Sequence, residues 1–233
     1  MKIEVLDKGY VRLVDSMGDD LSIVNAARVS YDKESTEFNE RDGRLMDFLL
    51  EHGHESPLRH AALTFEVYAP LLVARQWWKY AVASTHVDEQ NGWNESSRRY
   101  ITENEEFHIP AAWRLAPENS KQGSGDDIDI EQSIVWSHRL RKYIEQGESL
   151  YHDALNEGLA PEQARLFLPA YGMYVRWRWT TSLASVIHFL KQRLAHDAQY
   201  EITQYANAVA RLCQLQFPRA IEAALGPLDC ILS

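Results

Sequence analysis

The stretch MYVRWRWTT, residues 173–181, alternates without a break. Met173, Val175, Trp177 and Trp179 fall on one side, and Tyr174, Arg176, Arg178 and Thr180 on the other. That is the period of two expected of a strand with one apolar face. Directly after it, Leu183, Val186, Ile187, Leu190 and Leu194 recur at helical spacing, which predicts a helix to about Ala195. A strand feeding straight into an amphipathic helix is the pattern of a mixed α and β protein.

The rest of the chain extends that pattern. Ile3 and Val5, then Val11 and Leu13, alternate around the turn Asp7-Lys8-Gly9, so residues 2–14 read as two short strands. Asp20 can cap a helix to about Ser30. A second helix is expected from about Asn39 to Glu51, with Leu45, Phe48 and Leu49 on one face and Gly53 as its stop. ALTFEVYA (61–68) reads as a strand, and LLVARQWWKYA after Pro70 as a helix. Residues 84–98 are polar and rich in turn formers. Residues 115–129, rich in Gly, Ser and Asp, are expected to form a mobile loop. The longest helix is expected at about 131–157, with Ile134, Leu140, Tyr143, Ile144, Leu150 and Ala154 as its buried stripe. Pro161 can open a short helix ending before Pro169. A last long helix runs from about Ala198 to Gln216, with Pro218 breaking or restarting it. No internal repeat and no domain boundary interrupts this order. Few strands with several helices between them indicate one α+β domain over residues 1–233.

Composition bounds the function. The chain has 233 residues, 45% hydrophobic and 25% charged, with seven tryptophans, which fits a folded globular protein rather than a disordered one. Its formal net charge of −10 argues against a nucleic-acid partner, since neutralising phosphates needs a basic surface. An anionic small molecule would need a local basic pocket. Two cysteines, Cys213 and Cys230, cannot make a disulfide framework or a multi-cysteine zinc site. The start has no charged-then-apolar leader, and no apolar run nears the roughly 20 residues that span a bilayer. A cytoplasmic protein without membrane contact is expected.

The chemistry-bearing residues gather in a few places. HGHESPLRH (52–60) carries His52 and His54 at i and i+2, but no second ligand group sits at a diagnostic spacing. It reads as a helix end and polar turn feeding a ligand pocket, with no metal. ARQWWKY (74–80) places Arg75, Gln76 and Lys79 on a helix. NESSRRY (94–100) then packs Glu95, Ser96, Ser97, Arg98 and Arg99 together. Arginine forks and serine hydroxyls suit phosphate, and a glutamate can read an N–H or a ribose hydroxyl. Alone, NESSRRY would be a solvated loop; so many phosphate-type donors in an acidic chain favour a site. Arg165 lies just before Pro169, and Arg193 lies near a helix end, where an arginine commonly complements the dipole. There is no G-x-S-x-G nucleophile motif and no glycine-rich phosphate loop, so side chains would have to hold any nucleotide. Cys213 lies on an apolar helix face and reads as an inert thiol.

Together, LSIVNAARVSYD (21–32), HGHESP (52–57), ARQWW (74–78), NESSRRY (94–100), ARLFLP (164–169) and the 182–206 segment ending AQYEITQYA resemble the flavin-dependent thymidylate synthase family in order and approximate spacing. The family signature, Arg-His-Arg, seven residues and Ser, is altered. Lys79, Tyr80 and Ala81 stand at the triplet, and nine residues, THVDEQNGW, separate Ser84 from Asn94. The resemblance implies an α+β subunit in a homotetramer with active sites at subunit junctions. It implies conversion of deoxyuridylate (dUMP) to thymidylate (dTMP), with methylenetetrahydrofolate as carbon donor, FAD as hydride carrier and NADPH as reductant, and no cysteine nucleophile. By matching positions, Gln76, Lys79, Glu95, Ser97, Arg98, Arg99, Arg165 and Arg193 would hold dUMP, Arg98 through its backbone, with Arg193 also catalytic. Ser56, Lys79, Glu95, Ser182 and His188 would face FAD. Two other readings compete: a non-catalytic nucleotide-binding paralogue, and another flavin-dependent enzyme that modifies pyrimidines.

Overall fold

The structure, a computed structural model, describes residues 1–83, 92–97, 100, 101, 105–117 and 123–228, and for residues 80–83 the backbone alone. Its centre is the alternating stretch of tryptophans. β5, Tyr174–Ser182, buries Val175, Trp177 and Trp179, while Arg176 and Arg178 stay exposed. It pairs antiparallel with β3, Ala62–Pro70, in a register that sets Trp179 opposite Phe65 and Trp177 opposite Val67. β3 pairs in turn with β2, Gly9–Met17, and β2 with β1, Lys2–Val5. The far edge is β4, Gly92–Glu95, giving a five-stranded antiparallel sheet in the order β1-β2-β3-β5-β4. β4 falls where the sequence predicts only a polar, turn-rich segment.

Helices fill the connections. α1 is Asp20–Arg28, and its cap is Asp19 rather than the expected Asp20. The Asp20 carboxylate instead accepts from the backbone N–H groups of Arg219 and Ala220, at 2.7 and 3.0 Å, at the start of α8, Pro218–Leu225. α2 is Glu40–Glu51, capped by Asn39. Phe48, expected in its buried face, is exposed and stacks on His52 and His54. α3, Leu71–Ala83, follows β3 directly. α5, Pro161–Ala164, is short; α6, Leu183–Arg193, and α7, Tyr200–Gln216, complete the set. The buried side chains, from Val5 to Leu228, form one cluster.

α4, Ile130–Asn156, is as long as expected but turned differently. Ile144 and Ala154 are buried as expected, together with Ser133, Gly147 and Tyr151, whereas Ile134, Tyr143 and Leu150 are exposed. The rotation has a cause at Gly147. A Cβ there would lie 2.7 Å from the carbonyl oxygen of Phe167, so the helix backbone runs against the 165–169 segment, and only glycine permits it. Of the 115–129 stretch, residues 118–122 lie outside the described residues; on either side of them Leu115 donates to Asp126 O at 2.9 Å and Gly125 to Leu115 O at 2.8 Å. Among the described residues no helix is long and apolar enough to cross a membrane.

Candidate active site

The site is built on a cluster of rings. Trp77 of α3 is fully buried and meets Trp177 and Trp179 of β5 edge-on, with centroids 5.4 and 5.5 Å apart. It stacks on Phe189 of α6 at 4.4 Å. Trp179 also packs on Phe65 of β3 at 5.8 Å. These contacts fix α3 and α6 on one face of the sheet. Gln76 and Lys79 flank Trp77 in sequence, Gln76 half-buried and Lys79 exposed. His188 precedes Phe189 and is half-buried.

β4 brings the acid to the same face. Trp93 lies opposite Trp179 and Glu95 opposite Trp177, and directly opposed residues share a face. Trp93 stacks on Trp177 with centroids 5.1 Å apart. Glu95 keeps its own exposure to solvent, yet desolvation against the protein raises its carboxyl above the usual range, and a hydrogen bond from Trp93 only partly offsets this. Ser96 donates its N–H to Arg176 O at 2.8 Å, and its hydroxyl accepts from Arg176 N at 3.1 Å, which extends the ladder past Glu95. Ser97 is half-buried, and its carbonyl accepts from Tyr100 and Ile101 N–H at 3.0 and 3.1 Å.

The third part is the end of α6. Ser182 is buried, and its hydroxyl accepts from Ser185 N at 3.3 Å as the α6 cap. Arg193 is half-buried in the last turn, and its carbonyl lies 3.0 Å from the Thr203 hydroxyl. The turn that follows leads to Gln199, whose side-chain Oε1 accepts from Gln76 Nε2. Gln199 is absent from the sequence candidates, since no spacing rule pairs residues so far apart along a chain. A cavity of about 430 Å³ is lined by Leu194, His196 and Thr203 together with Pro117, Gly123 and Ser124. A larger one, about 880 Å³, lies at α1 and α8, and none of the candidate residues lines either cavity.

One chain therefore brings Gln76, Lys79, Glu95, His188 and Arg193 onto elements packed about one aromatic cluster. Two candidates stand on other elements. Ser56 is exposed at the start of a short 3-10 turn, Ser56–His60. Arg165 is exposed at the start of another, Arg165–Phe167, where its Nε donates to Glu162 O at 3.2 Å. Arg98 and Arg99, the core of the arginine reading, lie outside the described residues, as does Cys230. Cys213 is fully buried. Among the described residues no group of three or more His, Cys, Asp and Glu could hold a metal ion.

Known proteins resemble this chain in sequence and fold. A family model described as thymidylate synthase complementing protein matches residues 12–219. A flavin-dependent thymidylate synthase of Thermus thermophilus is 42% identical over 223 residues, covering 96% of this chain and 78% of the relative. One of Thermotoga neapolitana is 39% identical, covering 96% and 94%. Among solved structures, the UMP/dUMP methylase PolB of Streptomyces cacaoi, bound with 5-Br dUMP, superposes with a TM-score of 0.79 at 29% identity, covering 97% of this chain and all of that one. With a family model over most of its length and relatives of this identity, the chain belongs to the flavin-dependent thymidylate synthase family.

Proposed function

We propose that this chain converts dUMP to dTMP by reductive methylation, with methylenetetrahydrofolate as carbon donor and NADPH as the source of reducing equivalents. The observation that supports the reading is that α3, β4 and α6, the elements carrying Gln76, Glu95 and Arg193, pack about one group of aromatic rings. Donors on several elements would suit a flavin dinucleotide. Lys79 offers an exposed ammonium and Ser56 an exposed hydroxyl for phosphates, while His188 and Glu95 flank the rings. Ser182 fits this role least, because its hydroxyl already caps α6. FAD, when bound, supplies the two-electron redox step, which side chains cannot perform.

The protein's own residues have distinct tasks in this reading. The pyrimidine must become electron-rich at C5 without a thiolate adding to C6. A cation near the N3–C4=O edge favours the ring anion: a unit charge at 4 Å is worth about 4 kcal/mol at an effective dielectric of 20. That corresponds to roughly 3 pKa units at N3. Arg193 is the cation assigned to this work. Gln76 and Ser97 orient the nucleotide, and Arg98, Arg99 and Arg165 meet its phosphate.

Cys213 takes no part. Burial pushes its thiol far above the normal range, so it holds no thiolate at neutral pH. Cys213→Ala combined with Cys230→Ala should keep dTMP formation within about threefold, the loss expected if only packing changes. Loss of turnover with the fold intact would reveal a thiol role. We infer from the family resemblance, which implies active sites at subunit junctions, that the exposed Arg165 serves the site of a second copy and that the working unit is a homotetramer. Light scattering should give four copies per particle; a fully active monomer would refute a shared site.

The reading is tested by purified protein supplied with FAD, dUMP, methylenetetrahydrofolate and NADPH. A perturbed flavin spectrum and dTMP as product are expected. Binding of dUMP without turnover would instead favour a nucleotide-binding protein, for which the Lys79-Tyr80-Ala81 triplet speaks. Methylation of UMP in preference to dUMP would place the chain with pyrimidine-modifying enzymes of the PolB kind.

A further inference from the structure

Gln199 begins α7 as its N-cap residue, yet its side chain makes no cap hydrogen bond. Glutamine is not among the favoured cap residues, which are short enough to reach the first free N–H groups. Here the longer side chain crosses instead to α3, where its Oε1 accepts from Gln76 Nε2. The backbone of Gln199 is held as well. The Thr203 hydroxyl lies 3.0 Å from the carbonyls of both Gln199 and Arg193, so one side chain ties the two ends of the turn between α6 and α7. Gln76, Gln199, Thr203 and Arg193 are thus linked in series from α3 to the end of α6.

We propose that Gln199 is a positioning residue that fixes the orientation of the Gln76 carboxamide toward the nucleotide. A carboxamide has nearly the same shape after a half-turn, but the turn exchanges its donor and acceptor ends. The bond to Gln199 ties one end of the Gln76 carboxamide to α7, leaving the other end to meet a polar group of the ligand. This rests on the reading of Gln76 as a dUMP residue. No sequence motif announces the pair, and neither partner depends on the flavin.

A double-mutant cycle tests it. The FAD-reconstituted protein is titrated with dUMP, and the dissociation constant is read for the parent, Gln76→Leu, Gln199→Leu and the double variant. Gln199→Leu removes the acceptor on a solvent-exposed residue and should weaken dUMP binding about three- to tenfold, the span for one net hydrogen bond. The double variant should bind no more weakly than Gln76→Leu alone, because Gln199 acts only through Gln76. Gln199→Glu keeps the acceptor and should bind within about twofold of the parent, the rescue a purely structural loss would not show. Additive losses, or no loss in Gln199→Leu, would overturn the proposal while parent binding stands. Failure of the parent itself to bind dUMP would overturn the functional reading and this proposal with it. Melting temperature, followed in parallel, should hardly change; a large fall in Gln199→Leu with unchanged dUMP affinity would assign the residue to the fold and sink the proposal.

Discussion

Arg193→Ala is expected to lower kcat by about 2.7–4 kcal/mol, or 10²–10³-fold, the loss typical of removing a donor aimed at developing charge. Binding of dUMP should weaken less, by about 1–3 kcal/mol, the range for a lost charged hydrogen bond. The asymmetry follows from the role. Charge grows on the pyrimidine only along the reaction, so a cation beside it gains most in the transition state. The position supports the role: Arg193 is half-buried in the last turn of α6, with its backbone tied to Thr203. Arg193→Lys keeps the charge but loses the planar fork, and should fall between the two. Steady-state kinetics at saturating folate and NADPH measure both constants. A rise in KM with kcat unchanged would reduce Arg193 to a binding residue.

Trp77→Ala should cost about 3–5 kcal/mol of stability, the range for removing a large buried aromatic side chain. Trp77 touches Trp177, Trp179 and Phe189, and so ties α3 to both β5 and α6. The cavity left behind cannot close without moving α3, so Gln76 and Lys79 should shift with it. Denaturant unfolding at fixed protein concentration gives the loss, and FAD and dUMP titrations give its functional share. Trp77→Phe keeps a ring and should cost much less. A loss below about 1 kcal/mol for the alanine variant would show that the surroundings collapse onto the space, against the expected cavity cost.

Much of this fold is legible in the sequence where one face of an element is buried along its whole length. β5 alternates from Val175 to Thr181 and β3 from Ala62 to Ala69, and their register in the sheet follows that alternation; Tyr174, read as lying on the polar side, is buried as well. Legibility fails where tertiary contact decides. In α4 the apolar residues Ile134, Tyr143 and Leu150 form a regular series, but the close approach at Gly147 turns them to solvent. β4 has a single aromatic residue, Trp93, among residues that disfavour strands, and is held by pairing with β5 rather than by propensity. The sequence points to Asp20 as the cap of α1, but α8, two hundred residues on, takes that carboxylate and the cap falls to Asp19. The site divides in the same way. Gln76, Glu95 and Arg193 were within reach of motif resemblance, whereas Gln199 becomes visible only when α3 and α7 stand side by side.

The ladder that holds β4 has a further consequence. Glu95 takes its place from its pairing with Trp177 and from the Ser96 bond to Arg176, not from the length of chain that delivers it. Position and tether are separate variables in this protein. A lineage can lengthen the approach to Asn94 residue by residue, at an entropic cost that grows only with the logarithm of length, while the acid stays at its post. The nine residues between Ser84 and Asn94 are an instance of that freedom.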